Sequence, residues 1–220
     1  KKQTHYKNKM HGATTKMSNL ENKLIEKLKR KYPEVTGKQK QFSNHPNKLG
    51  VKINVQQSTF NLLTTVEIFE SLEVKYCVVF GTLLGLYRDG NLIEYDTDTD
   101  IAVWIDNERE LIKIVEKAEE NKLMLTRVNR NIISFTRGGD YIDIYLYRKQ
   151  DENSNELSCI GAQTLGTLTT SDFSKNNTVN FNNRKLACPV DPESYFQKLY
   201  GSDWRTPIKD KHAHIKHGNR

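Results

Sequence analysis

Apolar residues first recur at helical spacing in the stretch 18–30, where Leu20, Leu24, Ile25 and Leu28 follow a Ser18-x-x-Glu21 capping box. Pro33 ends that helix, and 33–50, with Gly37, Pro46 and Gly50, reads as a linker. A second helix is predicted from about Ser58, its apolar stripe formed by Phe60, Leu62, Leu63, Val66 and Phe69. The run 75–80 is rich in β-branched and aromatic residues and reads as a buried strand, broken by Gly81-Thr82. A short helix over 83–88 and a turn at Asp89-Gly90-Asn91 lead to a strand over 98–105, with Ile101, Val103 and Ile105 toward the core. An amphipathic helix over 108–121 presents Leu111, Ile112, Ile114, Val115 and Ala118. Three strands follow, 123–128, 132–137 and 141–148, with tight turns at 129–131 and at Gly138-Gly139.

The polar stretch 149–177 shows neither period and reads as a long functional loop. A hairpin is predicted across Asn182-Asn183, pairing 179–181 with 185–188, and Asp191-Pro192-Glu193 opens a last helix that stops at Gly201. No repeat or low-complexity tract interrupts this order. The expected fold class is therefore α/β (α+β), a mixed sheet flanked by helices. The expected division is a basic N-terminal extension with one helix (1–50), a folded catalytic unit (51–210) and a basic tail (211–220).

Charge sharpens that division. Of the 220 residues, 36% are apolar, enough for a compact core, and the net charge is +7. Residues 1–50 hold 13 Lys/Arg against 3 Asp/Glu, whereas the remainder holds 21 against 24. The basicity thus belongs to the extension, which is either a solvated leader or an arm toward anionic lipid or another polyanion. A slightly acidic body argues against a broad nucleic-acid face, so no specific nucleic acid is expected. No apolar run is long enough to span a bilayer. Cys77, Cys159 and Cys188 are odd in number and widely spaced, which favours a reducing compartment over a disulfide framework or a zinc ribbon. The Asn176-Asn177-Thr178 sequon matters only in a secretory pathway. The closing His212-Ala213-His214-Ile215-Lys216-His217 is either an exposed tail or a metal-binding tract. A chain opening at Lys1-Lys2 is expected to be a fragment or a processed form.

The chemistry concentrates in two segments. The first runs Phe80-Gly81-Thr82-Leu83-Leu84-Gly85-Leu86-Tyr87-Arg88-Asp89-Gly90, the second Tyr95-Asp96-Thr97-Asp98-Thr99-Asp100-Ile101. On a strand, alternate residues share a face, so if the strand starts early enough Asp96, Asp98 and Asp100 stand together, opposite the apolar face. Like charges so placed repel, and a divalent cation is the simplest compensation. An EF-hand loop also begins Asp-x-Asp-x-Asp, but it needs Gly at its sixth position and Glu at its twelfth, where this chain has Ile101 and Asn107. A solvated acidic turn would leave the Gly81-Thr82 segment unexplained. In 141–147 the even positions are aliphatic and Asp143 falls on the other face among tyrosines, which makes it a candidate third ligand.

A strand ending in Gly-Thr, a short helix, Asp-x-Asp on the next strand and a later strand Asp resemble the polymerase-β-type nucleotidyltransferase superfold. In finer detail, Gly81-Thr82-Leu83-Leu84-Gly85-x-x-Arg88-x-Gly90, with an aromatic before Asp-x-Asp-x-Asp, resembles the LicD family and fukutin-related proteins. The closing Pro189-Val190-Asp191 and Tyr200-Gly201-x-x-Trp204-x-x-Pro207 are similar to that family's end, so the likeness runs over about 58–208. Family members often carry His where Asp89 stands, and Asp or Tyr where Thr97 stands; the zinc-binding insertion of some eukaryotic members is not evident.

The resemblance implies Mg2+ (or Mn2+) on Asp98, Asp100 and Asp143, and Gly81 and Thr82 beside a donor's phosphates. It makes Arg88 either a phosphate partner or a surface arginine. Asp96 either orients the site or takes the acceptor's proton, and Tyr95 and Trp204 are either walls for the donor or core packing. The implied partners are a CDP-linked donor and a glycan or glycolipid acceptor; peripheral membrane association is expected from the basic N-terminus. The implied reaction transfers phosphocholine or a polyol phosphate. The expected location is cytoplasmic and membrane-peripheral, or the Golgi lumen in a eukaryote. Transfer of a nucleotide to a small molecule, or an inactive binding module of the same fold, are the competing readings.

Overall fold

The structure is a computed structural model that describes residues 26, 30, 51–128, 131–149, 151–159 and 167–207. The expected linker and basic tail lie outside these residues, as does the expected first helix apart from Glu26 and Arg30, which are both helical.

Helix α1 (Val55–Ser71) starts three residues earlier than the apolar pattern suggests, because the Asn54 side chain caps it by accepting the Gln57 N–H at 3.0 Å. Its buried face also differs from the expected stripe. Leu62, Val66 and Phe69 are buried, but Phe60 is 58% exposed and its place is taken by Ser58, Asn61 and Thr65. Thr65 donates to the Asn61 carbonyl at 2.9 Å, and Ser58 and Asn61 are tolerated because residues 137–140 offer partners. The Ser58 hydroxyl donates to Asp140 Oδ2 at 2.8 Å, and Arg137 Nε donates to Asn61 Oδ1 at 2.9 Å. The Arg137 guanidinium then lies over the Phe60 ring at 3.9 Å.

Strand β1 (Lys75–Val78) runs into helix α2 (Phe80–Arg88), and a loop carries the chain to β2 (Thr99–Trp104). Helix α3 (Glu108–Glu120) precedes the antiparallel strands β3 (Met124–Val128), β4 (Ile132–Arg137) and β5 (Asp140–Lys149). Strand β5 is the axis of the sheet. It pairs parallel with β2, antiparallel with β4, and near its end antiparallel with β6 (Glu156–Cys159), which pairs with β7 (Thr167–Thr169). The path β1-β2-β5-β4-β3 with β6 and β7 makes a seven-stranded mixed sheet. A separate hairpin of β8 (Thr178–Phe181) and β9 (Arg184–Ala187) turns through Asn182 and Asn183, whose φ values of 50° and 63° suit a two-residue turn. Helix α4 (Pro192–Tyr200) is capped by Asp191, which accepts the Ser194 N–H at 3.0 Å, and stops at Gly201 with φ 92°.

The stretch expected to be a loop, 149–177, instead contains β6, β7 and a 3-10 turn (Thr170–Phe173). Its apolar positions are few, but Leu157, Cys159, Leu168 and Phe173 are all buried, and Phe173 packs on Trp104 and Tyr147. Too few residues carry the period for it to stand out in the sequence. The core lies against both faces of β2, where Ile101, Ala102 and Val103 are inaccessible. All three cysteines are buried and unbridged.

Candidate active site

The head of α2 is built by an abrupt change of direction. Phe80 comes one residue after β1, behind the N-cap Val79, and adopts φ 50°, a backbone region that is strained for a bulky residue. Its ring sits edge-on to Tyr145 at 4.9 Å, and its N–H donates to the Tyr195 hydroxyl at 3.3 Å, so β5 and α4 together hold the bend. The helix therefore begins at Phe80, and Gly81 and Thr82 lie in its first turn instead of before it. Thr82 is buried, and its hydroxyl accepts the Asp100 N–H at 2.7 Å. Helix α2 is thereby tied to β2 at the carboxylate position itself.

Strand β2 is shorter than the sequence suggests. Asp100 lies in it, Asp98 lies just ahead of it and Asp96 sits in the preceding turn, so the three do not alternate along one strand face. Asp98 and Asp100 nevertheless converge with Asp143. Asp100 on β2 and Asp143 on β5 are paired across the parallel ladder, and one carboxylate oxygen from each of the three residues lies within 4.8 Å of the others. Asp96 goes elsewhere. Its Oδ1 accepts the Thr97 N–H at 2.8 Å, and its Oδ2 packs where a Cβ on residue 81 would stand.

Donors from several elements surround these carboxylates. The Tyr141 hydroxyl donates to Asp98 Oδ2 at 3.1 Å, and Tyr145 lies on the same strand beside Asp143 and Asp100. Asp143 accepts from Ser134 Oγ at Oδ1 and from Arg127 Nη2 at Oδ2, each at 2.5 Å. Burial first, then the charges of Asp98, Asp96 and Asp143, hold the Asp100 carboxyl well above the usual carboxylate range. Burial likewise pushes Asp143 up to about 6, and the Arg127 charge opposes the rise. Tyr200 is shifted upward by its own burial and then by Asp100, Asp96 and Asp98, which places α4 beside the cluster.

The cluster fits a hard divalent cation. Three carboxylates gather, two of them buried, and their mutual repulsion is what an oxygen-seeking ion offsets. Two other residues carried over from the resemblance are engaged otherwise. Arg88 makes paired hydrogen bonds to Asp89, at 2.8 and 2.7 Å, and donates to the Trp204 carbonyl at 3.4 Å. Trp204 is buried against Phe196 and Tyr87, and Arg205 covers its ring. Arg127, Ser134, Tyr141 and Tyr145 join the site without having been marked as candidates by the sequence, whereas Tyr200 belongs to the closing motif. The alternation of tyrosines with aliphatic residues around Asp143 was a signal for Tyr141 and Tyr145; for Arg127 there was none.

Among solved structures, the antibiotic-resistance factor ANT(2'')-Ia in solution aligns at 13% identity and TM-score 0.50, over 76% of this chain and 82% of that one. The crystal structure of ANT(2'')-Ia with adenylyl-2''-tobramycin aligns at 12% identity and TM-score 0.49, over 74% and 86%. An antigenic nucleotidyltransferase-like protein from Paracoccidioides brasiliensis aligns at 13% and TM-score 0.43, over 76% of each chain. Likeness at such identities is one of fold, and the fold is that of the nucleotidyltransferases. No curated protein matches the sequence significantly. Among family profiles, LicD/FKTN/FKRP, nucleotidyltransferase domain, matches residues 73–191, a segment that includes the head of α2 and all three clustered carboxylates. Since that match spans more than half of the 220 residues, the chain belongs to the LicD/FKTN/FKRP family and is a transferase of the nucleotidyltransferase fold.

Proposed function

We propose that this transferase moves phosphocholine or a polyol phosphate from a CDP-linked donor to a glycan hydroxyl, with Mg2+ or Mn2+ held by Asp98, Asp100 and Asp143. The observation that carries the reading is the convergence of those three carboxylates beside the first turn of α2, in a member of this family. When bound, the cation supplies charge neutralisation at the donor's diphosphate. The head of α2 adds the partial positive charge of a helix N-terminus for the same phosphates, while the space a side chain would take at Gly81 is filled by the Asp96 carboxylate. Thr82 fixes this helix to Asp100 through its hydroxyl, and Asp96 braces Gly81, which suits an orienting role better than that of a base. The acceptor oxygen forms a bond to the phosphorus next to the carried group. The bond from that phosphorus to CMP breaks, and the acceptor's proton passes to a carboxylate of the cluster. Arg88 is held by Asp89 and the Trp204 carbonyl, and would offer a phosphate the N–H groups that these bonds leave over.

In this reading residues 51–210 are the catalytic unit and the basic residues 1–50 attach it to an anionic membrane surface. Among the described residues, no helix is long and apolar enough to cross a membrane. The decisive assay offers CDP-choline, CDP-ribitol, CDP-glycerol, UDP-glucose and ATP with Mg2+ and a glycan acceptor, and follows CMP. Release of CMP from a CDP-linked compound, lost in Asp98→Asn and Asp100→Asn, is the expected outcome. Full turnover in EDTA would remove the metal from the scheme. Use of ATP with release of pyrophosphate would replace the scheme with nucleotide transfer.

A further inference from the structure

One polar row crosses the sheet at right angles to its strands. Arg127 on β3 pairs with Ser134 on β4, Ser134 with Asp143 on β5, and Asp143 with Asp100 on β2. Arg127 reaches this row because of a bulge. The register of β3 against β4 slips between Leu125, opposite Phe135, and Arg127, opposite Ser134. In a regular ladder Arg127 would stand opposite Ile133, on the face that Leu125 and Phe135 bury, so the extra residue turns it to the other face. Bulges recur where a side chain must be re-aimed. Here the side chain closes a triangle: Arg127 Nε donates to Ser134 Oγ at 2.8 Å, Arg127 Nη2 to Asp143 Oδ2, and Ser134 Oγ to Asp143 Oδ1. Ser134 is fully buried and Asp143 nearly so.

We propose that Arg127 and Ser134 are positioning residues that set the Asp143 carboxylate for the cation, an inference that rests on the metal reading above. A carboxylate on a strand rotates about its own side-chain bonds unless both oxygens are held. The two hydrogen bonds use two of its roughly four acceptor positions, so ligand positions remain on each oxygen. The arrangement follows the general rule that residues behind a metal ligand orient it and tune its basicity. The guanidinium also brings one positive charge to a site of three carboxylates, which leaves the formal balance of a single divalent ion.

The test uses Mn2+ as the probe, the full chain as the protein, and variants that leave the charge of the site unchanged. Ser134→Ala and Arg127→Lys are each checked for folding by circular dichroism and titrated by calorimetry or electron paramagnetic resonance. Each is expected to bind Mn2+ about 10–100-fold more weakly than the parent. A purely structural role would lower the melting temperature and leave the Mn2+ dissociation constant alone. Values within twofold of the parent in the folded variants, or tighter binding, would overturn the inference. Absence of Mn2+ binding by the parent protein would overturn the metal reading as well. A crystal structure of the Mn2+-loaded parent needs no variant: retention of the Arg127–Asp143 contact supports positioning, and its release overturns it.

Discussion

Gly81→Ala tests the geometry at the head of α2. A Cβ at this position would stand 2.4 Å from Asp96 Oδ2, where contacts below 3.0 Å are essentially never seen. The carboxylate oxygen must therefore retreat by about 0.6 Å, the difference between those two distances. It is not free to do so. Asp96 Oδ1 holds the Thr97 N–H at 2.8 Å, while its backbone is fixed by bonds to Ile93 and Ile53, each at 2.9 Å. Either that side-chain bond is given up or α2 moves, at an overpacking cost of about 1–3 kcal/mol. For a chain of this size that is a fall of roughly 2–12 °C in Tm. If α2 moves, the donor's phosphates are misplaced, and a shift of about 1 Å in such a site costs roughly 100-fold in rate. The cause is steric, because Gly81 is helical and Ala suits a helix better than Gly by about 1 kcal/mol. In an Asp96→Ala background the obstructing oxygen is gone, so Gly81→Ala there should be neutral or mildly stabilising. Urea denaturation of the two single variants and the double variant, with CMP release on each, measures the coupling. An equal cost of Gly81→Ala in both backgrounds would refute the reasoning.

Thr82→Val removes the acceptor of the buried Asp100 N–H and should cost about 1–3 kcal/mol in a denaturation experiment; an unchanged midpoint would show that this tie is dispensable. Arg137→Met takes away the donor to Asn61, Thr64 and the carbonyls of Phe60 and Asn121, and should lower stability by about 1.5–3 kcal/mol while leaving turnover per folded molecule intact. A loss of turnover without a loss of stability would contradict that assignment. Removal of residues 1–50 should weaken retention on vesicles containing anionic lipid and leave CMP release on a soluble acceptor nearly unchanged; a large fall in kcat would place the extension in the site.

Much of this arrangement was legible in the residues. The alternation in 141–147 located β5 and set Asp143 apart from its aliphatic neighbours, because a two-sided strand gives a period that one sequence displays. Asn182-Asn183 and Asp191-Pro192 marked the hairpin and the last helix through local backbone preferences alone. The motif around Gly81 and the acidic triplet pointed to the family. By contrast, the polar buried face of α1 depends on Asp140 and Arg137, more than 70 residues away, and no local pattern announces that a buried Ser58 or Asn61 will find a partner. The strands inside 149–177 were hidden for a similar reason, since β6 and β7 are too short to show a period and gain their order from β5 and Phe173.

What the sequence determined by itself is what short-range chemistry controls: where helices and turns start, which strand faces are apolar, and which carboxylates are out of place on them. Only the tertiary structure decided which of those carboxylates meet. Asp96, Asp98 and Asp100 look equivalent at their spacing of two, yet the strand begins at Thr99, and parallel pairing of β2 with β5 brings Asp98 and Asp100 to Asp143 while Asp96 turns back onto Gly81. A single bulged residue in β3 likewise decided that Arg127 faces Asp143 instead of the core. Register is set by the pairing of whole strands, and a shift of one residue exchanges the two faces, so these choices are properties of the sheet and are written in no single segment.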